Sequence, residues 1–252
     1  MYEQTDLHIH TTYLKCADET MTIPAIIATA EQSELRTIAI TDHLNAPQFL
    51  HEHFNIKRDL AEIDTDMRVI FGVEVNVIDQ ATGAVSIDEQ QIEELGFELV
   101  IGGPHQSYFD QPDPRGIIDL QHKLMLAVVR NPLIEVLVHP WWFGGGEFRS
   151  GVMAWMTDLS QLPEEYVAEL GETAAACDTA IEANGSAIFT NSGCYGEAFL
   201  EDYKQYLYKL ASYGAKIAIA SDAHNIDHLH DAQTAGRAVR DAGISKEQLF
   251  IP

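Results

Sequence analysis

Seven short β-rich runs, at residues 5–10, 36–42, 68–74, 98–103, 134–139, 179–184 and 216–222, punctuate the chain, and most are followed by a segment of helical periodicity. Strand then helix, repeated, is the pattern of parallel βαβ units, and nothing else in the sequence constrains the fold as strongly. Helices are expected over 24–34, 56–64, 116–130, 163–177, 199–213 and 231–242, with a shorter one over 87–94. Pro24, just after Thr22 and Ile23, marks the first start. The strands have near-continuous apolar cores, such as Thr37-Ile38-Ala39-Ile40 and Ile217-Ala218-Ile219-Ala220, as strands covered on both faces do. No low-complexity tract, charge block or linker divides the 252 residues, so a single α/β domain over 1–252 is expected.

Where the polar residues sit separates a barrel from an open sheet. Each run ends on ionisable or polar groups: His8 and His10, then His43, Glu74, His105, His139, Glu182 with Asn184, and Asp222 with His224. From His10 to His224 these ends are spaced 33, 31, 31, 34, 43 and 42 residues apart, close to one βα unit each. An open sheet gathers ligands from two or three strands at its switch point, whereas a barrel brings every strand end to one face. The two longer spacings leave room for loops at 141–150 and 190–197, and the aromatic and glycine run Trp141-Trp142-Phe143-Gly144-Gly145-Gly146 suits a pocket wall or lid.

Composition removes several function classes. With 15 Lys+Arg against 39 Asp+Glu, the formal charge of −24 opposes binding to nucleic-acid polyanions. No apolar stretch approaches the ~18 residues of a membrane span, and the polar, acidic N-terminus lacks a basic signal region. Three widely spaced cysteines, Cys16, Cys177 and Cys194, read as reduced thiols of a cytoplasmic protein.

His8 and His10, two apart on a strand, project from one face. One such pair is weak evidence, but six of the eleven histidines fall at strand ends. Neutral imidazoles with a few carboxylates are the ligands of Zn²⁺, Mn²⁺ and Fe²⁺. Three or four donors serve one ion, so this many imply several ions, and Glu74 is the carboxylate suited to bridge them.

The motifs Asp6-Leu7-His8-Ile9-His10-Thr11, Thr41-Asp42-His43, Gly72-Val73-Glu74, Gly103-Pro104-His105, His139-Pro140 and Ser221-Asp222-Ala223-His224 resemble, in order, those of the polymerase and histidinol phosphatase (PHP) family, over residues 6 to about 224. The resemblance implies a distorted seven-stranded (β/α)7, TIM-like barrel with three divalent ions, Zn, Mn or Fe, and phosphoester hydrolysis. It places one ion on His8, His10, Glu74 and Asp222, a second on Glu74, His105 and His139, and a third on His43 and His224. A further donor to the third comes from the loop after the first strand, with Asp18 favoured and Cys16 the alternative. Three divalent ions against the carboxylates of Glu74, Asp18 and Asp222 leave roughly +3 in a low-dielectric pit, attractive to a phosphate dianion despite the acidic surface. Metal-activated hydroxide would attack phosphorus in line. The leaving alkoxide is stabilised by the third ion or by a proton donor near Asp222 or His224, the two residues taken as catalytic. The expected substrate is a small phosphorylated metabolite, such as a histidinol-phosphate-like compound or a nucleotide.

Other residues carry two readings. Asp6, taken to face the same way as His8, either orients a ligating imidazole or is a buried carboxylate satisfied by the backbone. Asp42 is read as structural, and Glu182 and Asn184 as pocket-lining or as supports for ligands. Lys15, Arg115 and Arg149 are read as surface charges, and His51, His53, His228 and His230 as solvated. Trp141, Trp142 and Phe143 are read as loop packing. Two other functions compete: a metal-dependent amidohydrolase, which generally wants a lysine where this chain has His105, and a non-catalytic metal-binding module.

Overall fold

The computed structural model describes residues 1–79, 82–105, 113–142, 159–190 and 192–252. Seven parallel strands follow one another around a nearly closed barrel: β1 (Thr5–Ile9), β2 (Thr37–Ile40), β4 (Arg68–Asp79), β6 (Leu99–Gly103), β7 (Val136–Leu137), β8 (Ala180–Asn184) and β9 (Ile217–Ala220). Two short strands, β3 (His43–Leu44) and β5 (Ala84–Val85), pair with β4. The helices are α1 (Ile23–Gln32), α2 (Leu50–Leu60), α3 (Glu89–Leu95), α4 (Pro114–Val129), α5 (Glu164–Cys177), α6 (Ser192–Ser212), broken at Gly196, and α7 (Asp231–Asp241). The chain is thus a single α/β domain built as a TIM-like seven-stranded barrel. No helix among the described residues is long and apolar enough to cross a membrane.

All seven expected strands are present, though several elements differ in extent; β7 keeps only Val136–Leu137 of the expected 134–139. β4 runs on to Asp79, because its far end gains partners in β3 and β5. α2 begins at Leu50 instead of residue 56: it follows a 3₁₀ turn at Pro47–Phe49, and no side chain caps its start, so the usual sequence signal is missing. α3, by contrast, carries a reciprocal capping box between Asp88 and Gln91.

Two apolar layers sandwich the strands. Leu7, Ala39, Ile70, Leu99, Ile101, Val136, Ala180 and Ala218, at least one from each barrel strand, form the inner cluster. The outer cluster joins Ile9, Ile38, Ile40, Val73 and Ile217 to the helices. Gly72 belongs to the inside, where a Cβ would lie 2.8 Å from the Leu99 carbonyl oxygen and from the Thr41 methyl. Its missing side chain keeps the layer beneath Glu74 narrow.

β1 departs from simple alternation. Its register with β2 slips between Asp6 and Ile9, a bulge with one extra residue on β1. Leu7 therefore enters the inner apolar cluster while His8, the next residue, joins the other strand ends. Asp6 and His8 do not share a face, contrary to the expectation from strict alternation. The barrel closes between β9 and β1 through Asp222 N to His8 O (2.8 Å), His10 N to Ala223 O (3.1 Å) and Ser221 N to the Asp6 carboxylate (2.8 Å).

Candidate metal centre

Glu74 is fully buried at the middle of the carboxyl-end face, and five imidazoles converge on its two oxygens. Oε2 lies 2.6 Å from His43 Nδ1, 3.4 Å from His8 Nε2 and 3.5 Å from His10 Nε2. Oε1 lies 3.0 Å from His105 Nε2 and 3.1 Å from His139 Nε2. Asp222 Oδ1 adds a second carboxylate, 3.3 Å from His10 Nε2, 3.5 Å from His224 Nδ1 and 3.6 Å from His8 Nε2. His8 and His10 bring their Nε2 atoms within 2.9 Å of each other. Nitrogen lone pairs crowd together in this way where a cation is to be shared.

Satisfaction of the polar atoms makes the same point. His43 Nδ1 and Glu74 Oε2, although 2.6 Å apart, lack hydrogen-bonding geometry, and each is buried with no other hydrogen-bond partner. A buried carboxylate oxygen left in that state is costly unless an ion completes it. Among the described residues, three groups of donors have their ligand atoms within 4.8 Å of one another: His8, His10 and Glu74; His43, Glu74 and His105; and His10, Cys16, His43 and His224. Imidazole, carboxylate and one thiol form a donor set that fits borderline divalent cations.

The side chains alone distribute charge around this centre. Burial disfavours the ionised form of Glu74, but His43, His105 and His8 outweigh it and hold the carboxyl well below its ordinary range. Asp222 is likewise held low, against its burial, by His8 and His10. Burial opposes the His8 imidazolium, yet Asp222, Glu74 and Glu182 raise its pKa well above the ordinary histidine value. His10 goes the other way, lowered by burial and by its neighbouring imidazoles. The carboxylates thus stay charged, and the protons they draw onto imidazoles are the ones a divalent cation would displace.

A second layer fixes the donors. Glu182 Oε1 accepts from His8 Nδ1 at 2.7 Å, and its Oε2 accepts from the backbone N–H of His139 and from Asn184 Nδ2. Asn184 Nδ2 also reaches Asp222 Oδ2 at 3.1 Å, so one amide links the supporting carboxylate of Glu182 to the candidate ligand Asp222. His139, Trp141 and Asp222 adopt left-handed backbone, with φ of 32°, 62° and 59°, an uncommon state for residues with a Cβ. Asp222 closely follows β9 and His139 closely follows β7, and Pro140, between His139 and Trp141, is held by Tyr203 Oη to its carbonyl at 2.8 Å. Strain held by surrounding structure is characteristic of functional sites.

The structure brings together His8, His10, His43, Glu74, His105, His139, Asp222 and His224. Asp18 stands at their edge: its backbone N–H donates to the His224 carbonyl at 2.7 Å, but among the described residues its carboxylate joins none of the donor groups. Asp18 is exposed, and its carboxylate accepts the Thr20 N–H at 2.9 Å in a local turn. Cys16, two residues earlier, lies with His10, His43 and His224 in one group of possible donors. Asp6 takes backbone N–H groups of Ser221 and His8 and serves barrel closure, while Glu182 does the orienting. Asp42 accepts from the Thr11 amide and hydroxyl and is structural, as expected. Burial pushes both Asp6 and Asp42 up to about 7.

Three further expectations resolve. His53 is buried, not solvated: its Nε2 is 3.1 Å from the His43 carbonyl and its ring meets Phe97 edge-on. The only signal for it was helix α2, whose start was hidden. Arg115 is a surface charge, paired with Asp119 at 2.8 Å and lying over Tyr166. Trp141 is buried in the core, and Trp142 packs 5.2 Å from His139. Phe143, Gly144-Gly145-Gly146 and Arg149 lie outside the described residues.

Comparison with known proteins agrees with this geometry. The family described as "PHP domain" matches residues 6–140. A probable phosphatase of Syntrophotalea carbinolica is 28% identical over 249 residues, covering 98% of this chain and 90% of that protein. The DNA polymerase/3′-5′ exonuclease PolX of Bacillus subtilis is 25% identical over 93% of this chain but only 36% of the polymerase. A chain in a cryo-EM structure of archaeal ribonuclease P with mature tRNA shares the fold, with a TM-score of 0.51 at 12% identity, over 95% of this chain and 87% of that one.

Proposed function

The chain belongs to the PHP domain family and is a phosphoric ester hydrolase, and from that premise we propose that it is a cytoplasmic phosphatase of small phosphorylated metabolites working through three divalent ions. The observation that carries the reading is the pair of Glu74 oxygens met by five imidazoles at 2.6–3.5 Å. His8, His10, Glu74 and Asp222 would hold one ion, Glu74, His105 and His139 a second, and His43, His224 and Cys16 a third. The functional domain extends over 1–252, beyond the matched 6–140, because Asp222 and His224 follow the last barrel strand.

Bound there, zinc, manganese or iron supplies an acidified water and positive charge for the phosphoryl oxygens. This chain's own residues do the rest. Glu182 and Asn184 orient His8 and Asp222. Glu74, with one oxygen toward His43 and the other toward His105 and His139, would be the carboxylate shared between ions. Asp222 and His224 border the cleft where substrate enters. A charge of −24 and a cleft without lysine or arginine among its described lining residues favour a small phosphoester over a nucleic acid. Membership in the family sets aside the amidohydrolase alternative, and the enzyme assignment sets aside the non-catalytic module.

The test is metal analysis of purified protein together with phosphate release from a panel of alkyl, aryl and nucleotide phosphomonoesters. About three ions per chain and turnover of small esters are expected. Metal-replete protein inert toward the whole panel overturns the reading.

A further inference from the structure

The metals account for attack on phosphorus, but they leave the departing alcohol without an assigned proton donor. Next to the centre lies a cleft of about 700 Å³, lined among others by Asp18, Trp142, Ser186, Asp222, His224 and His228. Of its described lining residues outside the proposed ligands, only His228 can carry a positive charge.

His228 is not placed there by chance packing. The Asn225 side chain caps a one-turn 3₁₀ helix, Ile226–His228, which lifts His228 one turn past His224. Asp231, only 1% exposed at the start of α7, then takes His228 Nδ1 at 2.8 Å. The same Asp231 oxygen accepts the hydroxyls of Ser186 and Thr190, each at 2.9 Å, from the segment after β8. His230 Nε2 approaches the other oxygen at 3.5 Å but does not line the cleft. A buried carboxylate held by two hydroxyls from another element is a fixed support. It fixes the His228 tautomer with hydrogen on Nδ1, leaving Nε2 on the opposite side of the ring.

We infer that His228, oriented by Asp231, is the general acid that protonates the leaving alcohol. This assignment rests on the phosphatase reading above. In the step, a water oxygen forms its bond to phosphorus as the ester P–O bond breaks. The alcohol oxygen takes the proton from His228 Nε2, and the neutral imidazole regains a proton from solvent. Asp231 transfers nothing and is a positioning residue.

Leaving-group dependence tests this. With the metal-loaded enzyme, His228→Gln should lower kcat on the best alkyl phosphate of the panel by about 100-fold. On p-nitrophenyl phosphate, whose leaving group needs no proton, the change should stay within about threefold. His230→Gln should leave both rates unchanged, and both variants should keep wild-type metal content. Equal loss on the two esters, no loss on either, or depleted metal in His228→Gln overturns the assignment, as does wild-type turnover of aryl but not alkyl esters. A wild-type enzyme inert toward every ester overturns the phosphatase reading itself, a result distinct from these.

Discussion

The floor of the metal centre and its mouth are built on different principles. On the floor, Glu74, His8 and His139 are buried and come from or closely follow barrel strands, and His8 and His139 are braced by Glu182. At the mouth, Cys16 is exposed and His224 half-buried, both from loops, while His43 stands on a two-residue strand. Strand donors are fixed by the sheet register, as His43 and Glu74 show where they pair across β3 and β4. Loop donors must be ordered by the ion they bind. The contrast teaches that metal sites at the two levels should not be equivalent: ions bound on the floor would meet preorganised ligands, and one bound at the mouth would exchange more readily.

Removing the shared floor ligand breaks the contrast most severely. Glu74→Gln keeps the shape but halves the coordinating capacity facing five imidazoles. It should empty the floor and lower phosphatase activity by about 10³-fold, read as ions per chain and kcat on one substrate. Retention of all ions in that variant would show that Glu74 is not the bridge.

A milder change sharpens the comparison at the mouth. Cys16→Ser should lose one ion and leave the others, and chelator titration of the wild type should release that same ion first. Cobalt substitution gives an independent reading: the wild type should show a near-ultraviolet thiolate-to-cobalt band that the variant lacks, whereas Asp18→Asn should keep it. A band unaffected by Cys16→Ser would restore Asp18 as the candidate.

The smallest effect concerns what lies beneath the mouth. Burial lowers His53 to about 4 from an ordinary histidine value of 6.5. The unfolded chain therefore takes up this proton first, and stability present above pH 6.5 is lost as pH falls toward 4, by about 3 kcal/mol in all. Thermal unfolding between pH 7 and 4 should show a shallower decline for His53→Gln than for the wild type. Parallel declines would mean that His53 stays neutral in neither state or in both.

How far the sequence reached can be read residue by residue. Polar ends on evenly spaced apolar runs determined the parallel barrel and assembled His8, His10, His43, Glu74, His105, His139, Asp222 and His224 at one face. Both rest on repeat length and side-chain character, which are local properties. Three matters were decided only by tertiary structure. A bulge in β1 separated Asp6 from His8, since register depends on the neighbouring strand. The turn Asp18–Met21 drew the Asp18 carboxylate onto the Thr20 amide and left the exposed Cys16 beside His10, His43 and His224. The fold also set Asp231 under His228 by closing α7 against the segment after β8. Periodicity specifies which residues can face a site. Which of them arrive, and which group supports each, depends on packing between segments far apart in the chain, and no local pattern encodes that.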